Sequence, residues 1–339
     1  MIRIALDGMG GDFAPKPICE GAMEALNQYP KIQITIFGDE EKMSPFLKKH
    51  ERLTIVHTPH YLDMAEKEVL KLYKTNKEIS MFKAMQFVKD GHADAFVSAG
   101  PTQAIVLAGH FIIRRMKHMK RVAIAPIIPS YDGKGRILLD GGANTDFKAE
   151  HLVEFGLYAS IVVEKVLNRS NPTVALINNG TEDSKGRELD IETHKLLKEH
   201  PFINFYGNME GKDVFTSDAD VFLTDGFTGN IVMKTMEGTA KGVGLVLKRE
   251  IKRNVFSMFG ALFMRKALKN LKRALDASEI GGALLMGFDH IVIKAHGSSD
   301  DFAIKNAIRQ AKEMVEADVI NQVKTALDQV KAKENEETS

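Results

Sequence analysis

Short apolar runs, most closing on small or polar residues such as glycine, asparagine and aspartate, alternate with longer helix-patterned stretches along the 339 residues. No other feature limits the fold as strongly. Candidate strands are Ile2–Leu6, Ile32–Phe37, Leu53–His57, Ala95–Val97, Ala123–Ile128, Ile137–Leu139, Val174–Ile177, Ile203–Tyr206, Val221–Leu223 and Ile291–Lys294. Helical patterns cover Pro15–Gln28, Ser80–Lys89, Thr102–Met119 and His151–Leu167, and one C-terminal helix is expected from Asp301 to Val330 ahead of a charged, frayed tail. Runs this apolar, separated by helix-length segments, predict βαβ units in a mainly parallel sheet with both faces covered. That is a three-layer αβα architecture.

The polar punctuation is as informative as the strands. Asp7-Gly-Met-Gly-Gly-Asp12, Ser98-Ala-Gly100, Asp140-Gly-Gly-Ala-Asn144, Asn178–Gly186 and Asp225-Gly-Phe-Thr-Gly-Asn230 all follow candidate strands. Any one of them is explained by an ordinary turn. Five on one edge of a parallel sheet favour a shared crevice, where open α/β sheets bind ligands. The stretch at 178–186 presents Thr181, Ser184 and Lys185 after two asparagines and a glycine. Loop amides and a lysine converging there suit an anion.

Several function classes fall away. Lys and Arg number 46 against 45 Asp and Glu, so no global field draws the chain to nucleic acid. Cys19 is the only cysteine, which excludes an internal disulfide and a cysteine metal cluster; its helical pattern predicts a packed thiol. The histidines form no metal-ligand spacing, and His50, His118 and His200 sit among charged residues, so neither a metal nor another cofactor is expected. Gly8-Met-Gly10-Gly-Asp-Phe13 has Phe13 where a dinucleotide fingerprint needs its third glycine, and Pro15 then opens a helix. Neither a P-loop nor a Gly-x-Ser-x-Gly elbow is present. The N-terminus reads as a strand without a signal peptide's apolar region, and no apolar run is long enough to span a bilayer, so the expectation is a cytoplasmic protein.

Two features stand apart. His296 follows a strand and precedes Gly297-Ser298-Ser299-Asp300 before a helix, an arrangement equally suited to an anion cradle and to a plain cap and turn. Residues 248–273 hold nine Lys or Arg against one Glu, around an uncharged centre at 254–264. Ala261, Met264, Leu268, Leu271 and Leu275 recur there at helical spacing. A basic amphipathic helix fits a membrane surface or a partner, and packing on its own core or a dimer mate is the alternative.

Taken together, these motifs, with Gly281-Gly282 and Lys294-Ala-His-Gly-Ser298, resemble the PlsX family of bacterial phosphate acyltransferases over almost the whole chain. The resemblance implies transfer of a long fatty acyl group from acyl carrier protein to inorganic phosphate, giving acyl phosphate for phospholipid synthesis. It implies a fold like those of isopropylmalate dehydrogenases and phosphate acetyltransferases, a homodimer, and peripheral attachment to the inner face of the cell membrane. There the membrane glycerol-3-phosphate acyltransferase PlsY would take the product, and Phe256, Phe259, Leu262 and Phe263 would insert. It implies one domain over 1–339, with an αβα core at about 1–245 and 277–330, a helical excursion at 246–276 and a tail at 331–339. A short-chain enzyme using acyl-CoA, or a non-catalytic carrier- or membrane-binding protein, are the competing readings.

Phosphate is already a charged nucleophile and a thiolate is a fair leaving group, so the chemistry needs positioned donors more than a covalent intermediate. Lys185 is the expected cation, Asn230 and Thr228 expected donors, Asp225 a positioner of Lys185 or Asn230, and His296 a donor to phosphate or oxyanion. Asp7, Gly10, Gly11, Ser98, Gly100, Thr102, Asn144, Asn179, Gly180, Thr181, Gly229 and Ser298 complete the expected substrate site. The chain departs from the family at Pro101 and Gln103, where asparagine and glycine are usual, and in a diluted basic stretch at Lys74–Met81.

Overall fold

The computed structural model describes residues 1–274 and 281–337. Its strands are β1 (Ile2–Asp7), β2 (Ile32–Gly38), β3 (Leu53–His57), β4 (Ala95–Ser98), β5 (Ala123–Ala125), β6 (Ile127–Ile128), β7 (Arg136–Leu139), β8 (Thr173–Asn178), β9 (Asn204–Glu210), β10 (Val221–Leu223), β11 (Ala283–Met286) and β12 (Ile291–Lys294). The helices are α1 (Lys16–Gln28), α2 (Glu40–Met43), α3 (Val69–Thr75), α4 (Ser80–Lys89), α5 (Thr102–Phe111), α6 (Ala149–Lys165), α7 (Glu188–Glu199), α8 (Gly226–Lys252), α9 (Val255–Phe263), α10 (Arg265–Ala274), α11 (Asp301–Glu316) and α12 (Val319–Glu337).

The α/β class is as expected, but the strands divide into two sheets. The larger runs β3-β2-β1-β4-β12-β11-β5, the smaller β6-β7-β10-β8-β9. Neighbours are parallel except where β11 meets β12 and β5, and where β6 meets β7. The expected strand Ala123–Ile128 breaks at Pro126, which has no N–H for a ladder, and the chain changes sheet there. Strand β11 had no clear signal, because Ala-Leu-Leu-Met is as good a helix fragment as a strand.

Core residues of both sheets share one cluster, with Ile4, Ile34 and Ile293 of the larger and Leu139, Leu176 and Leu223 of the smaller. Phe82, Phe96, Ile105 and Phe288 form a second core that covers the larger sheet with α4 and α5. A third core holds Leu138, Ala175 and Phe222, and Val232, Met233 and Met236 of α8 pack on it.

Helix boundaries shift for local reasons. α5 stops at Phe111 instead of continuing to Met119, because Arg114 and His118 adopt positive φ and Met116 N–H donates to Gly287 O at 2.9 Å. The expected helix from Asp301 breaks into α11 and α12 at Ala317-Asp318, where Asp318 has φ +49°. α12 remains helical to Glu337, through most of the segment read as a tail. The basic segment is three pieces rather than one amphipathic helix: the end of α8, then α9, which Asn254 caps by accepting from Ser257 N at 2.8 Å, then α10. Leu275, read as part of its apolar stripe, lies outside the described residues.

Candidate active site

The carboxyl ends of both sheets carry polar loops, and a buried carboxylate organises each. Asp7 ends β1 almost without exposure and accepts from Ser98 Oγ at 2.7 Å, Ser80 Oγ at 2.8 Å and Met9 N at 3.3 Å. Burial raises its pKa, and these three donors oppose the rise. Ser98 Oγ also accepts from Gly100 N at 2.9 Å, so its hydroxyl is committed within the protein. A Cβ on Gly10 would lie 2.7 Å from both Asp7 Oδ2 and Gly100 N, so only glycine lets the β1 and β4 loops approach this closely. Thr102 begins α5 beside them.

The third loop here follows β12. Asp12 N donates to Gly297 O at 2.8 Å, tying it to the first. His296 Nδ1 lies 2.8 Å from Ser298 Oγ and accepts from Ser298 N at 3.2 Å. With Nδ1 accepting, the neutral ring carries its proton on Nε2. Burial holds the His296 pKa below its usual value, and Lys294 and Lys234 push the same way.

Lys294 is the residue at this end that the sequence reading left out. It closes β12 between β4 and β11, half-buried, with Nζ donating to Ala295 O at 2.6 Å. Burial lowers its pKa to about 8; Asp12 opposes this and Lys234 adds to it. A lysine ending the run Ile-Val-Ile was the available signal, since a charge there must lie at a buried strand's mouth.

In the smaller sheet Asp140 plays the part of Asp7. Fully buried at the end of β7, it accepts from Ile124 N, Gly142 N, Ala143 N, Asn144 N and Asn144 Nδ2 at 2.9–3.1 Å. Burial raises its pKa against those bonds. Because Ile124 belongs to β5, and Asn144 Nδ2 also donates to Val122 O at 2.7 Å, this loop fastens the two sheets together.

Asp225 caps α8, accepting from Thr228 N at 2.9 Å and Thr228 Oγ1 at 2.8 Å. Its cation is Arg187, whose Nη2 donates at 2.5 Å while Nε bonds Asp190 Oδ2 at 2.9 Å. Burial pushes the Asp225 pKa up, but Thr228 and Arg187 outweigh it and hold it below the usual range. The expected partners of Asp225 are therefore corrected. Lys185 is half exposed with Nζ 3.9 Å from Glu182 Oε1, and Asn230 Nδ2 donates to Gly141 O at 3.2 Å. A Cβ on Gly229 would run into Asp140 O, which fixes glycine in the first turn of α8.

Asn179, Gly180 and Thr181 stay in the loop with Lys185. That loop is pinned to the body by Asn178 Nδ2 to Lys185 O at 2.9 Å, by Asn208 Nδ2 to Glu182 O at 2.8 Å, and by Asp183 with Lys198 at 2.6 Å and His194 at 3.2 Å. Helix α8 connects the two groups. Capped by Asp225, it carries Lys234 and Glu237, paired at 3.1 Å, into electrostatic reach of His296.

An α/β fold of this kind, with its polar loops at the strand ends, is that of the phosphotransacylases. A branched-chain phosphotransacylase from Enterococcus faecalis V583 superposes with a TM-score of 0.59 at 15% identity, over 93% of this chain and 99% of that one. A phosphotransacetylase from Streptococcus pyogenes gives 0.59 and 15%, over 93% and 94%. The chain belongs to the fatty acid synthesis protein family, whose model matches residues 2–322. It is 54% identical to the phosphate acyltransferase of Acholeplasma laidlawii over 329 residues, covering 96% of this chain and 98% of the relative. It is 46% identical to that of Bacillus pumilus over 318 residues, covering 94% and 95%.

Proposed function

We propose that this protein transfers a fatty acyl group from a carrier-protein thioester to inorganic phosphate in the crevice between Lys294, His296 and α8. The observation that carries the reading is the disposition of charge. Asp7, Asp140 and Asp225 are each occupied by hydrogen-bond donors of the surrounding loops and helices, so the strand ends present cations to the crevice. Asp12 and Glu237 are the acidic groups within reach of His296. A site with its carboxylates sequestered and with Lys294, Lys234 and His296 in electrostatic reach of one another suits a phosphate dianion and a developing oxyanion. The family assignment and the phosphotransacylase fold support the same reaction.

Further parts of this reading concern partners. The acyl donor is acyl carrier protein, the protein works as a homodimer, and α9 rests on the inner face of the membrane, where the acyl phosphate passes to a membrane acyltransferase. Support comes from α9 itself: Phe256 and Phe263 are 88% and 89% exposed, Phe259 and Leu262 61% and 62%, and basic residues flank them. Among the described residues no helix is long and apolar enough to cross a membrane.

The deciding assay is acyl phosphate formation from phosphate, trapped with hydroxylamine, using carrier-protein and CoA thioesters of matched chain length. Turnover favouring the carrier thioester is expected. Product from CoA thioesters alone would replace the carrier with CoA, and product from neither would end the reading.

A further inference from the structure

Acyl transfer to phosphate moves a proton as well as an acyl group. The phosphate dianion HPO4²⁻ attacks the thioester carbonyl, a C–O bond forms and the C–S bond breaks. The products are the acyl phosphate dianion and a neutral thiol, so the proton that begins on phosphate must finish on sulfur. Acylation makes the phosphate proton far more acidic, while the departing thiolate belongs to a thiol with a pKa of about 8.5. A group that accepts from the first and donates to the second works best when its own pKa lies between them.

The crevice holds few candidates. His296 Nδ1 is occupied by Ser298, and burial with the nearby Lys294 and Lys234 lowers its pKa, which favours the neutral ring with its proton on Nε2. Lys234 is held by Glu237 at 3.1 Å. Asp7, Asp140 and Asp225 are taken up by protein donors. Lys294 Nζ gives one N–H to Ala295 O and, among the described residues, has no carboxylate within ion-pairing distance, which leaves two N–H bonds for a ligand. The charged groups around it are Asp12 from the β1 loop, Lys234 and Glu237 from α8, and His296 from its own loop when protonated.

Resting on the acyl-transfer reading above, we propose that Lys294 is the proton relay of the reaction. Its ammonium protonates the thiolate as the C–S bond breaks, and the amine so formed takes the proton that the phosphoryl group gives up. The lysine ends as it began, and no other acid or base is consumed. With its pKa lowered to about 8, it is an ammonium at neutral pH yet weak enough in holding its proton to release it to sulfur.

The test compares leaving groups. Wild type, Lys294→Gln and Lys294→Arg are assayed with an alkyl thioester and with an aryl thioester of the same acyl chain, whose thiol is far more acidic. Lys294→Gln is expected to lose about 10²–10⁴-fold in kcat on the alkyl thioester, the usual range for a lost general acid. Most of that loss should return on the aryl thioester, which departs without a proton. Lys294→Arg keeps the charge but cannot release a proton, so it should behave like the Gln variant. Full turnover in the Arg variant, or an equal loss on both thioesters, would make Lys294 a fixed cation and end the relay. Wild type forming no acyl phosphate from either thioester or from the carrier-protein thioester would instead remove the acyl-transfer reading on which the relay stands.

Discussion

The crevice and the α9 arm use opposite arrangements of the same residue types. At the strand ends, charged groups go inside: Asp7, Asp140 and Asp225 are 2%, 0% and 3% exposed. On the arm, apolar groups go outside, and α9 has no buried residue at all. The difference follows from what surrounds each. A strand end is enclosed by loops rich in N–H donors, which repay a buried carboxylate with several hydrogen bonds. The arm leaves the body after Met236, the last α8 residue in a core, and α9, packed on α8 and α10, keeps its phenylalanines exposed. Burial therefore reports the company a segment keeps rather than its composition.

The comparison can be broken most severely at Asp140. Asp140→Ala orphans several buried amides at about 1–3 kcal/mol each, partly relieved by entering water, so a net loss of about 4 kcal/mol is expected. Urea unfolding measures it. A loss below about 1 kcal/mol would show that the loop closes without its carboxylate.

Lys294 comes next, through pH. Its pKa is about 8 in the folded protein against the ordinary 10.5, so between those values the unfolded chain binds more protons. Stability then rises with pH across that window, and below it the charged, half-buried lysine costs about 3 kcal/mol. Lys294→Met should be more stable than wild type at pH 7, with the advantage shrinking toward pH 10. An advantage constant across the range would mean that the lysine is not desolvated. Turnover should fall in the same window as the ammonium is lost.

Arg187 and Lys185 sharpen the assignment of the crevice rim. Arg187→Ala leaves Asp225 with only its Thr228 bonds and should cost about 1–3 kcal/mol. Lys185→Ala removes an exposed side chain and should change stability by less than about 0.5 kcal/mol. A drop in turnover at Lys185 comparable to that at Lys294 would move the anion site to the 178–186 loop.

The smallest effect on folding is expected at the arm. Phe259→Glu with Phe263→Glu replaces two exposed rings and should leave unfolding free energy within about 0.5 kcal/mol and soluble acyl transfer unchanged. The same variant should lose sedimentation with anionic vesicles, since area-dependent insertion and about 1 kcal/mol per nearby basic residue act together. Retained sedimentation would place the membrane contact elsewhere.

The sequence by itself determined the α/β class, nine of the ten expected strands as single strands, the edge on which polar loops gather, and the existence of an apolar, cation-flanked helical segment, whose exposure only the structure decided. These are local properties: period, turn chemistry and charge lie within a few residues of one another. The Asp140 loop was legible too, beside those of Asp7 and Asp225, though not the part of its carboxylate as a buried acceptor. Only the tertiary structure decided that the strands form two sheets, that β11 exists, and that α5 ends at Phe111, because each depends on partners far away in the chain. It also decided which cation meets which anion. Lys185 and Arg187 are two residues apart on one loop, yet Lys185 meets Glu182 at 3.9 Å while Arg187 spans Asp190 and Asp225. Residue spacing cannot distinguish them, because the direction of a loop side chain is set by how α7 and α8 pack. Lys294 owes its character to the same cause: its lowered pKa comes from burial between two sheet neighbours and from Lys234 on a helix sixty residues away.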